Sequence, residues 1–192
     1  MKNWHAILAF AVILLIGAAL HKAPTTAHTA IAQDQRPPSA RSVNEAPLTI
    51  AMSNVGRFSK GHSWYLSVNS AGQAELTIDT LPDPIRRTFT IDAQQLTELR
   101  TALLDHDFFE LANSYGELVP DGSADSITVT AGDMTKSVTL HFLMNWVSQK
   151  DVEKLRDPCR AVRIGMIIRD WFNDPEAVDL RRYDQMVLDA CK

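Results

Sequence analysis

The sequence predicts an α+β domain: a mainly antiparallel sheet of about five or six strands, packed by one central helix and a carboxy-terminal helix pair. Three observations carry this expectation. Alternating apolar and polar residues fold back on themselves twice, a capped amphipathic segment lies between the two hairpins, and two Asp-Pro dipeptides each open a helical run near the carboxy end. With 192 residues, 45% of them hydrophobic and 22% charged, the chain supports one core of ordinary size,. Collagen-like and disordered classes are excluded by that composition, and two cysteines are too few for a disulfide-framework mini-protein,.

Taken in order, Met1 to His5 supplies Lys2 and the amino terminus as positive charge, and Ala6 to Leu20 follows without a charge. These are the n-region and h-region of a signal peptide. A membrane-spanning helix needs about 20 apolar residues, so residues 1–32 read as a cleaved leader. Thr25-Thr26-Ala27 places the cut near 27, and Ala30-Ile31-Ala32 places it near 32. Membrane attachment through residues 6–20 is expected only if this segment stays uncleaved; otherwise the chain is periplasmic or extracellular. Residues 33–47, with Arg36-Pro37-Pro38-Ser39 and little apolar bulk, read as a flexible spacer before a single domain over 48–192,.

Within that domain, Trp64-Tyr65-Leu66-Ser67-Val68 and Ala74-Glu75-Leu76-Thr77-Ile78 flank Asn69-Ser70-Ala71-Gly72 as a hairpin,. Leu81-Pro82-Asp83-Pro84 breaks the chain, and Arg87 to Ile91 alternates as a half-buried strand. Asp92 with Gln95 forms a capping box, and Leu96, Leu99, Ala102 and Leu103 share one helical face, which predicts a helix ending near Asp105,. Residues 112–123 form the longest loop. Ile127, Val129 and Ala131, then Val138, Leu140 and Phe142, alternate around Gly132-Asp133 as a second hairpin. Ser148 with Asp151 opens a short helical turn. Asp157-Pro158 and Asp174-Pro175 then place a cap before a proline at the first helical position, predicting helices over 158–172 and 175–190,.

The short joint at Asn173-Asp174 turns these two helices into a hairpin or a sharp corner. Cys159 lies 15 residues before Asp174 and Cys191 lies 17 after it. At about 1.5 Å rise per residue the second cysteine returns to within about 3 Å of the first along the axis. In an oxidising compartment these two are expected to pair; splayed helices would instead leave two thiols.

The Trp64-Tyr65-Leu66-Ser67-Val68 hairpin, the Leu96-x-x-Leu99 helix, Asp107-Phe108-Phe109-x-Leu111, Tyr115-Gly116 and the Thr-rich second hairpin resemble a family of bacterial-type exported domains of unknown function. The resemblance spans residues 62–142. It implies export and a compact α+β domain, and it carries no catalytic residue, ligand or activity across; the carboxy-terminal helices look peculiar to a narrower subgroup.

The sequence is less explicit about chemistry. No G-x-S-x-G, S-x-x-K, H-E-x-x-H, P-loop or G-x-G-x-x-G pattern occurs,. A chain starting at Gln33 carries 17 basic and 23 acidic residues, a formal −6, which disfavours generic nucleic-acid binding,. The expected function is an exported, non-catalytic binding or envelope-structural domain without a cofactor, whose 112–123 loop presents Tyr115, Glu117 and Asp121 to a protein or envelope partner. One alternative is a small hydrolytic or metal-assisted enzyme using His106 or His141. Another is a weak Ca²⁺ or small-ligand binder at Asp121, Ser123 and Asp125, although position 12 of such a loop is Gly132 where an EF-hand needs Glu,. Arg156, Arg160 and Arg163 form a stripe that could take a carboxylate or phosphate, and read first as a solvated helix face. The aromatic residues read as core.

Overall fold

The computed structural model describes residues 40–56, 63–79, 83–120, 122–172 and 178–192. The leader and its cleavage points, residues 33–39 of the spacer, His62, the Leu81-Pro82 break, Asp121 and the Asn173-Asp174-Pro175 joint lie outside them.

The architecture is α+β. Helix α1 (Ala40–Glu45) precedes strands β1 (Leu48–Val55), β2 (Trp64–Val68), β3 (Gln73–Ile78) and β4 (Ile85–Thr90); helix α2 (Ala93–Asp105), β5 (Ser114–Tyr115), β6 (Ala124–Ala131) and β7 (Met134–Leu140) follow, and α3 (Met144–Gln149), α4 (Val152–Asp170) and α5 (Val178–Asp189) complete the described chain. The seven strands form one sheet in the order β4-β3-β2-β1-β6-β7-β5. Every pairing is antiparallel except the two-residue one between β5 and β7.

Period-two alternation explains the sheet's two faces. Leu48, Ile50 and Met52 on β1 point to the core beside Leu66, Val68, Leu76, Ile127, Val129 and Val138, all buried. Their neighbours Thr49, Ala51, Ser67 and Glu75 point the other way and stay exposed. On that outer face, Ser126 with Thr139, Thr128 with Ser137 and Thr130 with Thr135 make cross-strand hydroxyl bonds of 2.8 to 2.9 Å. The covered face receives Leu99, Ala102 and Leu103 from α2 and Leu155, Val162, Ile164 and Ile168 from α4. Helix α4 lies close to the sheet at Gly165, where an added Cβ would stand 3.2 Å from Met52 Cε and 3.3 Å from Ile127 Cδ1.

Several local expectations hold. Asp92 Oδ1 accepts from Gln95 N at 2.8 Å and Gln95 Oε1 accepts from Asp92 N at 3.0 Å, the reciprocal capping box,. Asn69 Oδ1 accepts from Ala71 N and Gln73 N, and Gly72 takes φ +77°, with any Cβ there meeting Ile91 O at 2.6 Å. Cys159 and Cys191 stand at disulfide distance, with Cα atoms 6.5 Å apart.

Others are corrected. The sheet has seven strands, not five or six, because β1 and β5 join it. Strand β4 is not half-buried: as an edge strand it keeps only Phe89 partly covered. Residues 40–45, expected within the spacer, form α1, whose Val43 is fully buried and whose carbonyl, with that of Ala46, accepts from the Arg100 guanidinium. Helix α4 starts at Val152 behind the Asp151 cap, so Pro158 is interior and Asp157 is not a cap. An interior proline leaves the carbonyl four residues earlier, on Lys154, without its helical donor; burial of Leu155 nevertheless carries the helix upstream of it. The covering layer is also larger than one helix and a pair, since α1 and α3 contribute to it.

A buried polar cluster joins the layers. Arg169 on α4 is 0% exposed and Asp184 on α5 is 1% exposed. Arg169 Nη1 donates to Asp184 Oδ2 at 2.8 Å, and Nη2 donates to Asp125 Oδ2 on β6 at 3.3 Å. Asn54 Nδ2 on β1 donates to Asp125 Oδ1 at 2.7 Å. Beside them, Leu143 N donates to Tyr183 Oη at 2.9 Å, tying α5 to the start of α3.

Two carboxyl groups thus share one guanidinium. Burial pushes Asp184 up to about 7 against the attraction of Arg169, with the Asp125 charge adding to the rise. The folded protein therefore holds this proton more tightly than the unfolded chain, so the associated stability is complete below the ordinary value of 3.8 and is lost as pH rises toward 7,. The unfolding free energy of the wild type minus that of Asp184→Asn should fall by about 3 kcal/mol between about pH 5 and about pH 8 in denaturant titrations. A pH-independent difference would contradict this assignment.

Candidate functional site

The segment after α2 is more ordered than its turn-forming residues suggest. Thr139 N donates to Asn113 O at 2.9 Å and His141 N donates to Tyr115 O at 2.8 Å, which lays β5 along β7. Glu117 N donates to Phe142 O at 3.1 Å and extends the contact as a single bridge. Gly116 lies between them at φ +90°, where a Cβ would come 2.9 Å from the His141 carbonyl carbon. Only glycine fits so close an approach at that dihedral.

Side chains then brace the segment. Tyr115 Oη accepts from Ala112 N at 2.7 Å, and burial pushes its phenol above the ordinary value. Glu117 Oε2 accepts from Asn145 Nδ2 at 2.5 Å, and Oε1 accepts from Trp146 Nε1 at 3.1 Å. Both Glu117 oxygens are therefore engaged by α3 and the Tyr115 hydroxyl by the Ala112 N–H, and both side chains, which the sequence reads as presented to a partner, are half-buried. The loop exposes a large apolar side chain, Leu118 at 83%, and Val55, at the end of β1, is 41% exposed. The two line a cleft of about 450 Å³ with Val119, Pro120, Ser123 and His141.

The expected metal set is divided. Asp125 turns inward to Asn54 and Arg169, Ser123 is exposed at the cleft, and Asp121 lies outside the described residues. Among the described residues no group of three or more His, Cys, Asp or Glu side chains is placed to hold a metal ion. The two candidate histidines are on different elements. His141 follows β7 at the cleft, and His106 ends α2, where burial, followed by the charge of Arg163, holds its imidazole below the usual value. His141 shares the cleft with Ser123 and with Glu117, whose carboxylate is taken up by Asn145 and Trp146, and His106 lies between Asp105 and Asp107, the latter bonded to Arg160.

The sequence alone does not point to Asn54, Arg169, Asp184 or Asn145, and it reads Trp146 as core, against which the residue is partly buried. One signal was available: Arg169 lies seven residues after Val162 and fourteen after Leu155, in phase with the buried face of α4,. A charge at such a position requires a buried partner.

Neither a protein-family model nor a curated protein matches this chain.

Glu117 is the brace on which the loop geometry depends. Replacing it with Ala leaves the Asn145 and Trp146 donors to water and should lower stability by about 1 kcal/mol. Amide hydrogen exchange over residues 116–120 should accelerate by about tenfold; exchange unchanged from wild type would show that the loop is held by other contacts.

Proposed function

We propose that the chain is an exported, non-catalytic binding domain whose partner docks on the braced loop at residues 116–120 and the cleft beside it. One observation carries this reading: Leu118 is 83% exposed on a segment whose next residue back, Glu117, is fixed by two side-chain hydrogen bonds and a backbone bridge. An apolar side chain held rigidly in water loses little conformational freedom on binding, and such residues supply the anchors of protein interfaces. The partner this surface suits is apolar at the point of contact, because Val55, Val119 and Pro120 line the cleft beneath Leu118.

Export is supported by the charged start and apolar run of residues 1–20, by the likeness to exported domains, and by the placement of Cys159 and Cys191. Among the described residues no helix is long and apolar enough to cross a membrane. In the proposed mature form, cleavage falls near residue 27 or 32 and the cysteines, 32 positions apart, are bonded. Closing a loop of that size stabilises the fold by about 3 to 4 kcal/mol in the chain-entropy account.

Photo-crosslinking from position 118 in the exporting cell should yield a defined partner, and Leu118→Asp should weaken that partner's affinity about 30-fold, or about 2 kcal/mol. Absence of a crosslink at normal expression, or affinity unchanged by Leu118→Asp, would sink the reading. Intact mass of the exported protein should start near His28 or Gln33 with no alkylatable thiol, and Cys191→Ser should lower the unfolding free energy by about 3 to 4 kcal/mol. A full-length mass with two free thiols would overturn both the cleavage and the cross-link.

A further inference from the structure

A second depression, of about 250 Å³, lies on α4 beside the cysteine pair. It is lined by Val152, Arg156, Cys159, Arg160, Arg163 and Cys191, so three guanidinium groups border it and no carboxylate does. The three arginines fall at i, i+4 and i+7, the spacing that puts side chains on one helical face,.

Their electrostatic situations differ. Arg160 is fixed and largely compensated, with Nη1 donating to Asp157 Oδ1 at 3.1 Å and Nη2 donating to Asp107 Oδ2. Arg156 and Arg163 have no ion-pair partner among the described residues. The pocket therefore carries two uncompensated positive charges in a chain whose formal net charge is −4. Their field reaches the adjacent helix end, where Arg163 and Arg160 both contribute to holding the His106 imidazole below its usual value.

We propose that this pocket binds the phosphate group of a phosphomonoester. The match rests on charge and donor number. A phosphomonoester carries about −1.5 to −2 near neutral pH and offers three terminal oxygens, which fits two unpaired guanidiniums with a third held in place beside them. A carboxylate offers one charge and two oxygens and would leave one arginine unanswered. Arginine's planar fork suits bidentate donation to such oxyanions. Val152, 55% exposed at one end of the row, gives the group esterified to the phosphate an apolar surface to lie against. The same phosphate chemistry occurs free in solution or as a lipid headgroup.

The test uses the mature chain, starting near His28 or Gln33 and so without the apolar 6–20 run, and two probes. Phenyl phosphate is titrated against the protein while amide shifts over residues 152–163 are followed, and flotation is measured with phosphatidylcholine vesicles with and without phosphatidic acid. Saturable shifts with phenyl phosphate, weakened at least tenfold in Arg156→Gln/Arg163→Gln and weakened again by raising salt, are expected. If flotation needs phosphatidic acid and phenyl phosphate competes it away, the source is a headgroup; if vesicles do not bind while phenyl phosphate does, it is a soluble ester. No saturable response in either arm overturns the site. So does equal binding by the double variant, which should keep wild-type circular dichroism because both side chains are exposed.

Discussion

One guanidinium shared between two carboxyl groups holds the layers of this fold in alignment. Arg169 leaves α4 and reaches Asp184 on α5 and Asp125 on β6, and Asp125 in turn takes Asn54 from the central strand. Such a cluster is not in itself a source of net stability, since removing each ion from water costs several kcal/mol. Its consequence is positional. The contacts form only when α4 crosses the sheet closely enough for Gly165 to face Met52 and Ile127, and only when α5 returns alongside α4. Loss of either acid would leave one of the two Arg169 Nη groups without its buried acceptor, so the arrangement penalises any other packing of the helix pair,.

The same alignment explains why the two surfaces with chemical character lie where they do. Asp125, drawn inward by Arg169, is removed from the loop that the sequence offered as an oxygen-ligand site, and the cleft that remains combines Val55, Leu118, Val119 and Pro120 with Ser123 and His141. The arginines on the exposed side of α4 are kept in water while their helix neighbour Arg169 is fully buried. One helix thus divides its positive charge between an interior structural role and an outward-facing pocket.

What was legible in the sequence is what local chemistry decides. The α2 capping box, the Asn69 to Gly72 turn and the Gly132-Asp133 turn are each set by a few consecutive residues, and each forms as expected. Strand β1 alternates as cleanly as any, yet its sequence neighbours carry no hairpin signal of the kind at Asn69 to Gly72, and its longest ladder is to β6, far along the chain. Pro158 is misleading because its preference for a first helical turn is a local statistic, whereas the burial of Leu155 and the Asp151 cap are tertiary facts,. Tyr115 and Glu117 look like presented residues in a polar loop; their partners Ala112, Asn145 and Trp146 become visible only once β5 lies along β7 and α3 follows.

Strand β4 is an open edge of the sheet, and its outer backbone groups face solvent. An edge of this kind is a template for pairing with another chain. Here it carries Arg86 and Arg87 side by side. Charged side chains on an edge oppose such pairing, and the exposed Arg86 and Arg87 put one on each face of β4, a gatekeeper against sheet-extending aggregation while a newly made chain is still folding at high local concentration,.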